Sequence, residues 1–307
     1  MYNIIPKRRS FPMKVNIGTY SFGGIASYLG LGPTLLEKFQ TIKALGFDGV
    51  ELLPVDLDNP VEDIKKWAQE TGLEIVSVHA EPTEEIVKKM AALGGKAVIW
   101  ASTDFCNKEE AIEVAHKLDK MAEMAEPYGI KIGYHNHSKE FYVDEGLPLI
   151  EHMANNSSKF FFQLDCGWCM NAGTYPPTFI RRYRDRIVAI HVKENCRVQG
   201  PGPQPKSAHA EGPHESPFAH VKEMSLEERQ AMLDQFNARN QSPEGQKRFN
   251  VQCKMGAPES NMDWRAIKEA LDEQSFEAFW VVEREGFYDE HDKCIADDAK
   301  FVKENVL

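Results

Sequence analysis

Short apolar runs recur along the chain, separated by segments with a longer hydrophobic period. The runs are VNIGTYSF (15–22), GVELL (49–53), EIVSVHA (74–80), KAVIWAS (96–102), KIGYHNH (131–137), FFFQLDCGW (160–168), IVAIHVKE (187–194) and FWVVEREG (279–286). Each has strand length and is apolar, with β-branched or aromatic residues prominent. Between them the pattern turns helical. In PTLLEKFQTIKALG, Leu35, Leu36, Phe39, Ile42 and Leu45 share one side of a helix that Gly46 stops. NPVEDIKKWAQETG opens on Asn59–Pro60, a cap and first-turn pair, and closes at Gly72. NKEEAIEVAHKLDKMAEMAEPYG reads as a long amphipathic helix ending near Pro127. Further helices are expected near 148–156, 176–184, 263–273 and 289–304.

Strands alternating with helices predict βαβ units and a parallel sheet. Eight such units predict a closed (β/α)8 TIM barrel, one domain over residues 1–307. An open doubly wound sheet is the alternative. The glycines of SFGGIASYLGLG do not have the G-x-G-x-x-G spacing of a dinucleotide site. One interval breaks the alternation. Residues 196–260, behind the seventh strand, open with QGPGPQP and carry His209, His214 and His220. They contain one expected helix, 225–240, with Ser225 as N-cap and Glu228 as its capping-box partner. An insertion behind a barrel strand lies on the catalytic face. The 196–260 segment is therefore expected to cap the active site or to form an interface.

The composition suits a globular chain of 307 residues, 42% hydrophobic and 27% charged. The net charge of -11 and pI of 5.5 argue against nucleic acid as a partner. The basic runs are PKRRS (6–10) and RRYRDR (181–186), and the second has the spacing of a solvated helix face. No stretch approaches the roughly 18 apolar residues of a membrane span. The start, MYNIIPKRRSFPMK, lacks the apolar core and cleavage site of a secretory signal, so a cytoplasmic location is expected. The cysteines Cys106, Cys166, Cys169, Cys196, Cys253 and Cys294 are scattered and do not suggest a disulfide scaffold. CGWC (166–169) has redox spacing, but it directly follows a strand and runs into MNAG with no evident helix. Two ordinary reduced thiols are expected there.

The carboxyl ends of barrel strands point to the active face. Here the last four strands end in His135 and His137, in Asp165, in His191 and Lys193, and in Glu283 and Glu285. Residues i and i+2 of a strand share a face. Burying so many ionisable groups is costly unless they pair or bind a metal. One divalent cation held by His135, Asp165, His191 and Glu283 is the predicted arrangement. Two imidazoles and two carboxylates suit Mn²⁺, Co²⁺, Ni²⁺, Fe²⁺ or Zn²⁺ better than Ca²⁺.

Taken as a set, GFDGVELL, YHNH…EF, LDCGW…NAG, DRIVAIHVKE and WVVEREG resemble the sugar phosphate isomerase/epimerase family with the xylose isomerase-like barrel. The resemblance runs from about Val15 to Val306, outside the insertion. Its YHNH branch looks most like inosose dehydratases and the large subunits of C-glycoside deglycosidases. The resemblance implies a metal, Mn²⁺ first, held by Asp165, His191 and Glu283. His135 stands where the family commonly has Glu. Trp168 stands where a His is common, and GAPESNMDW replaces a Gly-rich motif before the last helix.

The implied chemistry is proton abstraction beside the carbonyl of a keto-sugar or 3-keto-glycoside. His137 is expected to take the proton. Lys193 is expected to neutralise the oxyanion or return a proton. Glu140 and His79 are candidates for proton relay or hydroxyl binding, and Glu51 is a further candidate. Trp100, Trp168, Tyr20 and Phe22 are candidates for stacking on the substrate. Expelling a β-substituent makes the enzyme a lyase, and reprotonation makes it an isomerase or epimerase. The deglycosidase branch implies a small β-rich partner subunit; a homo-oligomer is the other possibility. A nuclease of the endonuclease IV type and a non-catalytic binding barrel are the competing classes, and the acidic balance argues against the first.

Overall fold

The chain is described by a computed structural model at residues 13–101, 103–209, 217–249 and 252–307. His214, the PKRRS run and Ser102, the last residue of the expected fourth strand, lie outside the described residues. All eight expected strands form, each shorter than its apolar run. They are β1 (Val15–Gly18), β2 (Gly49–Leu52), β3 (Glu74–His79), β4 (Ala97–Trp100), β5 (Lys131–His135), β6 (Phe161–Asp165), β7 (Ile187–Val192) and β8 (Phe279–Val282). They close a parallel barrel in the order β1-β8-β7-β6-β5-β4-β3-β2. His135, Asp165 and His191 close the carboxyl ends of their strands, while His137, Lys193, Glu283 and Glu285 lie just past them.

All the expected helices form. Thr34 caps Leu35–Ala44 in a reciprocal capping box with Glu37. The third segment spans Lys108–Ala125, capped by Asn107, and tightens into a 3-10 turn at Pro127. At Asn59–Pro60 the boundary shifts by one residue. Pro60 occupies the cap position of Val61–Thr71, and the Asn59 side chain donates instead to the Asp56 carbonyl. Three short helices lie where the apolar pattern showed none: Gly24–Tyr28, Glu84–Ala92 and Cys166–Asn171. The last corrects the reading of CGWC as leading into no helix. Asp165 caps it by accepting from the Trp168 amide, a signal hidden because the cap is also the end of a strand.

Apolar side chains divide between two layers. Ala97, Ile99, Val188 and Ala189 pack inside the barrel with Phe161 and Phe279. A much larger cluster lies between strands and helices and includes Tyr134, Phe162, Leu164, Ile190, Trp280 and Val282. Trp100 belongs to this outer layer, with the Lys117 ammonium 4.5 Å from its ring centre. That corrects its expected role in substrate stacking. It is one residue out of phase with Ile99, so it faces the helices and not the active end.

The 196–260 segment touches loops at the carboxyl ends of several strands. Gln204 donates to the Cys106 carbonyl, and the Ala208 amide donates to Glu110, both beyond β4. Phe218 stacks on Tyr28, beyond β1, at 4.9 Å. Lys222 pairs with Asp58, beyond β2, at 2.9 Å. The expected helix runs Leu226–Gln241 with the Ser225–Glu228 capping box, and a further helix, Pro243–Phe249, follows it. The segment returns beside β8, where Gln252 accepts from the Glu285 and Gly286 amides. Its two ends are tied at Glu194, whose buried carboxylate accepts from Ser260, Trp264 and the Gly256 amide. GAPESNMDW thus serves as this anchor.

Candidate metal centre and active site

Period-two alternation puts the chemistry inside the barrel. Gln163 donates to Glu51 at 2.6 Å, and Glu51 lies 2.7 Å from His191 Nε2. These bonds join β6 and β7 to β2 across the interior. The rings of His79, His135 and His191 lie within 5.0 Å of one another, centre to centre. His135, Asp165, His191 and Glu283 each offer a ligand atom, all within 4.8 Å of one another; His79, His135 and His191 form a second such group.

Asp165 decides whether the set fits a cation. Its Oδ1 is committed to the Trp168 amide at 2.8 Å. Its Oδ2 is buried and makes no hydrogen bond. That oxygen faces Lys193 Nζ at 3.4 Å and His191 Nδ1 at 3.9 Å. A buried carboxylate oxygen with no donor of its own, among two imidazoles and a second carboxylate, is a fitting ligand for a divalent ion.

The centre of YHNH has a structural role that the sequence pattern did not reveal. Asn136, fully buried, accepts from the Asp165 amide at 3.0 Å and donates to the Asp165 carbonyl at 3.3 Å. It thereby sets the carboxyl ends of β5 and β6 side by side. Gly167 acts similarly through its size, since a Cβ there would come within 2.7 Å of the Lys193 carbonyl and 2.8 Å of its side chain. The absent side chain at Gly167 lets Lys193 pass against the short helix.

His191 bridges two carboxylates. Nδ1 lies 3.1 Å from Glu283 and Nε2 lies 2.7 Å from Glu51. Burial opposes its charge, but Glu283 and Glu51 outweigh burial and raise its pKa to about 10, so a cation would have to displace a ring proton to take a nitrogen of His191. Burial would likewise raise Glu51, yet the imidazoles of His79 and His191 bring it down to about 2. Burial pushes Asp165 up to about 6, against the pull of Lys193. His135 has no carboxylate so close, and burial with neighbouring imidazoles holds its pKa well below the usual histidine value. The neutral imidazole is the ligating form. Lys193 Nζ sits 2.7 Å from Glu283 and 3.0 Å from Glu285, and these carboxylates hold it as ammonium despite burial.

The remaining expected residues divide. His137 joins the site, its ring centre 4.9 Å from His135 and 6.2 Å from Trp168. Trp168 also borders it, 4.9 Å from Lys193 Nζ. His79 lies in the cluster, with Nε2 2.6 Å from Gln163 and 3.0 Å from Glu51. Two candidates are corrected. Glu51 is 2% exposed and bonded to Ser77, Gln163, His79 and His191, so its carboxylate is committed to side chains at the base of the cluster and is not turned outward. Glu140 is fully buried and accepts from Tyr134 and from the His137 amide, so it holds the loop and does not enter the site. Gln163 is absent from the sequence-derived candidates, and Glu285 stood there only as a strand-end carboxylate without a role. Gln163 lies inside an apolar run, and only its period-two match to Asp165 points to it. The CGWC thiols are buried and free, and burial raises both well above the ordinary thiol range, so redox reactivity is suppressed.

Residues 39–305 match the xylose isomerase-like TIM barrel family, and the chain belongs to it. An inosose dehydratase from Clostridium beijerinckii is 25% identical over 199 residues, 54% of this chain and 65% of the relative, so the match spans under two thirds of that protein. Among solved structures, a sugar phosphate isomerase/epimerase from Parabacteroides distasonis superposes with a TM-score of 0.66 at 18% identity, covering 97% of this chain and 96% of that one. The 3-keto-D-glucoside 4-epimerase of E. coli does so with a TM-score of 0.60 at 15% identity, covering 95% and 99%. At these identities the structural likeness establishes the fold. Among the described residues, no helix is long and apolar enough to cross a membrane.

Proposed function

We propose that this protein is a divalent-cation-dependent enzyme that enolises a keto-sugar or 3-keto-glycoside and then eliminates a β-substituent. The supporting observation is the convergence of His135, Asp165, His191 and Glu283 at four adjacent strand ends, with His137 and Lys193 on its rim. A bound cation, Mn²⁺ first, would supply Lewis acidity to the carbonyl oxygen. His137 takes the proton from the carbon beside that carbonyl. The electron pair of the broken C–H bond becomes the enolate, and its return expels the β-substituent. Lys193, held as ammonium, neutralises the developing oxyanion, and His137 passes the proton it took to the leaving group. The 196–260 segment belongs to the same domain and closes over the active end from the β1, β2, β4 and β8 sides.

The test is NMR of a 3-keto-glucoside and of an inosose in D₂O with Mn²⁺-loaded protein. Deuterium is expected at the carbon beside the carbonyl, followed by an unsaturated product. His137→Ala and Lys193→Ala are each expected to slow turnover about 100-fold or more, and unchanged turnover removes the role of the residue concerned. Exchange with recovery of an epimer and no unsaturated product would favour the second reading, an isomerase or epimerase, to which the solved epimerase structures lend weight.

A further inference from the structure

Two overlapping groups of side chains could each hold a cation: His135, Asp165, His191 and Glu283, and His79, His135 and His191. A ligating imidazole is neutral and carries one ring proton, and only the nitrogen without it can bind a metal. Which nitrogen His135 offers therefore depends on what its other nitrogen meets. That partner is Gln163, fully buried in the middle of β6.

The Gln163 amide has one workable orientation. Its Nε2 lies 2.6 Å from Glu51 Oε2. An ionised carboxylate only accepts hydrogen bonds, so a flipped amide would set two acceptor oxygens against each other. Glu51 Oε2 also accepts from Ser77 at 2.6 Å, and Oε1 lies 2.7 Å from His191 Nε2 and 3.0 Å from His79 Nε2. Gln163 Oε1 is thereby turned to two imidazoles, 2.6 Å from His79 Nε2 and 3.2 Å from His135 Nδ1. A carbonyl oxygen accepts, so both ring nitrogens donate to it.

We propose that Gln163 is a positioning residue that keeps the ring proton of His135 on Nδ1 and so reserves Nε2 for the cation. Among the described residues, Nε2 of His135 has no hydrogen-bond partner, which leaves its lone pair uncommitted. His191 offers the opposite atom. Its Nε2 is directed to Glu51, and its Nδ1 faces Glu283 at 3.1 Å and Asp165 at 3.9 Å. The same Gln163 oxygen takes the Nε2 proton of His79, which withdraws that nitrogen from the second group. A side chain that touches neither cation nor substrate thus settles which ring atoms face the centre, because its own orientation is dictated by Glu51. The inference rests on the cation reading of the cluster and holds whichever substrate is turned over.

The test is NMR of the metal-free protein with ¹⁵N-labelled histidine at mildly alkaline pH. Two-bond proton–nitrogen correlations separate a protonated ring nitrogen from a bare one, and the His135 signals are assigned by their loss in His135→Asn. A protonated Nδ1 and a bare Nε2 are expected, with added Zn²⁺ shifting Nε2 while Nδ1 keeps its proton. Gln163→Leu removes the acceptor and is expected to lose the fixed tautomer and to weaken Mn²⁺ binding about 10–100-fold by calorimetry. Gln163→Glu keeps an acceptor oxygen facing the ring and is expected to keep Nδ1 protonated, a rescue that a packing role would not produce. A proton on His135 Nε2 in the wild type would overturn the assignment, and this holds even if the Leu variant fails to fold. A Gln163→Leu protein with wild-type tautomer and wild-type Mn²⁺ affinity would overturn it too. A protonated Nδ1 in a wild type that binds neither Mn²⁺ nor Zn²⁺ would overturn the cation reading and leave the proton assignment standing.

Discussion

At the scale of single residues, each first-layer group is held by a second that is almost as buried. Glu51 is the clearest case, since one carboxylate orients His79 and His191 and is itself fixed by Ser77 and Gln163. Outer partners of this kind typically carry 10–100-fold in metal affinity. Glu51→Gln is expected to weaken Mn²⁺ binding by about that factor with the fold intact, read by calorimetry and circular dichroism. An unchanged affinity would remove the orienting role. Glu140 gives a pH signature. Burial raises its pKa above the ordinary 4.5, against the pull of Lys139 and its hydrogen bonds. Its folded pKa thus exceeds its unfolded one, so its contribution to stability is complete below pH 4.5 and is lost as pH rises through the folded value. The stability of Glu140→Gln relative to wild type is therefore expected to improve as pH rises from 4.5 through the folded value and then to level off, in urea titrations. A difference independent of pH would contradict the raised pKa.

At the scale of elements, strand ends and caps coincide. Asp165 ends β6, caps the next helix and leaves one oxygen for the centre. Such double use explains why the helix after it was invisible to periodicity, whereas the Ser225 cap was legible as a local S-x-x-E pattern before a helical run. Helix Leu226–Gln241 buries none of its residues, so its stability depends more on its cap than on packing. Ser225→Ala is expected to cost about 1 kcal/mol locally. Hydrogen exchange should quicken in that helix while β1–β8 keep their protection, and uniform quickening would show that the insertion and barrel unfold as one unit. Trp100 carries the opposite lesson. Its place at a strand end was readable, but which way it faces depends on a single step of register.

At the scale of the whole molecule, a buried ion pair within the barrel positions the arginine that reaches the insertion. Arg284, just past β8, is held by Asp298 at 2.5 and 2.8 Å, and it also donates to the Cys253 carbonyl where the insertion returns. Removing one partner of a buried pair strands the other charge. Asp298→Ala is expected to destabilise the protein by about 3–5 kcal/mol, measured by denaturant unfolding; a loss below about 1 kcal/mol would mean that the pair is solvated. The charge of -11 belongs to this scale too. No retention on DNA is expected even at low salt, and salt-sensitive binding would revive the nuclease class.

The sequence by itself determined the eight-fold strand–helix alternation, the closed parallel barrel, the family and the interruption after the seventh strand. It also placed His135, Asp165, His191 and Glu283 at four carboxyl ends, because strand order and period-two alternation are local properties. It could not decide which polar groups meet. Glu51 and Asp165 are more than a hundred positions apart in the chain, and closure of the barrel brings both against His191. The parity of Trp100, the inward turn of Glu140 and the Asn136 bracket were decided only by tertiary structure. Each depends on the register and distance between segments remote in sequence, and no local pattern encodes those.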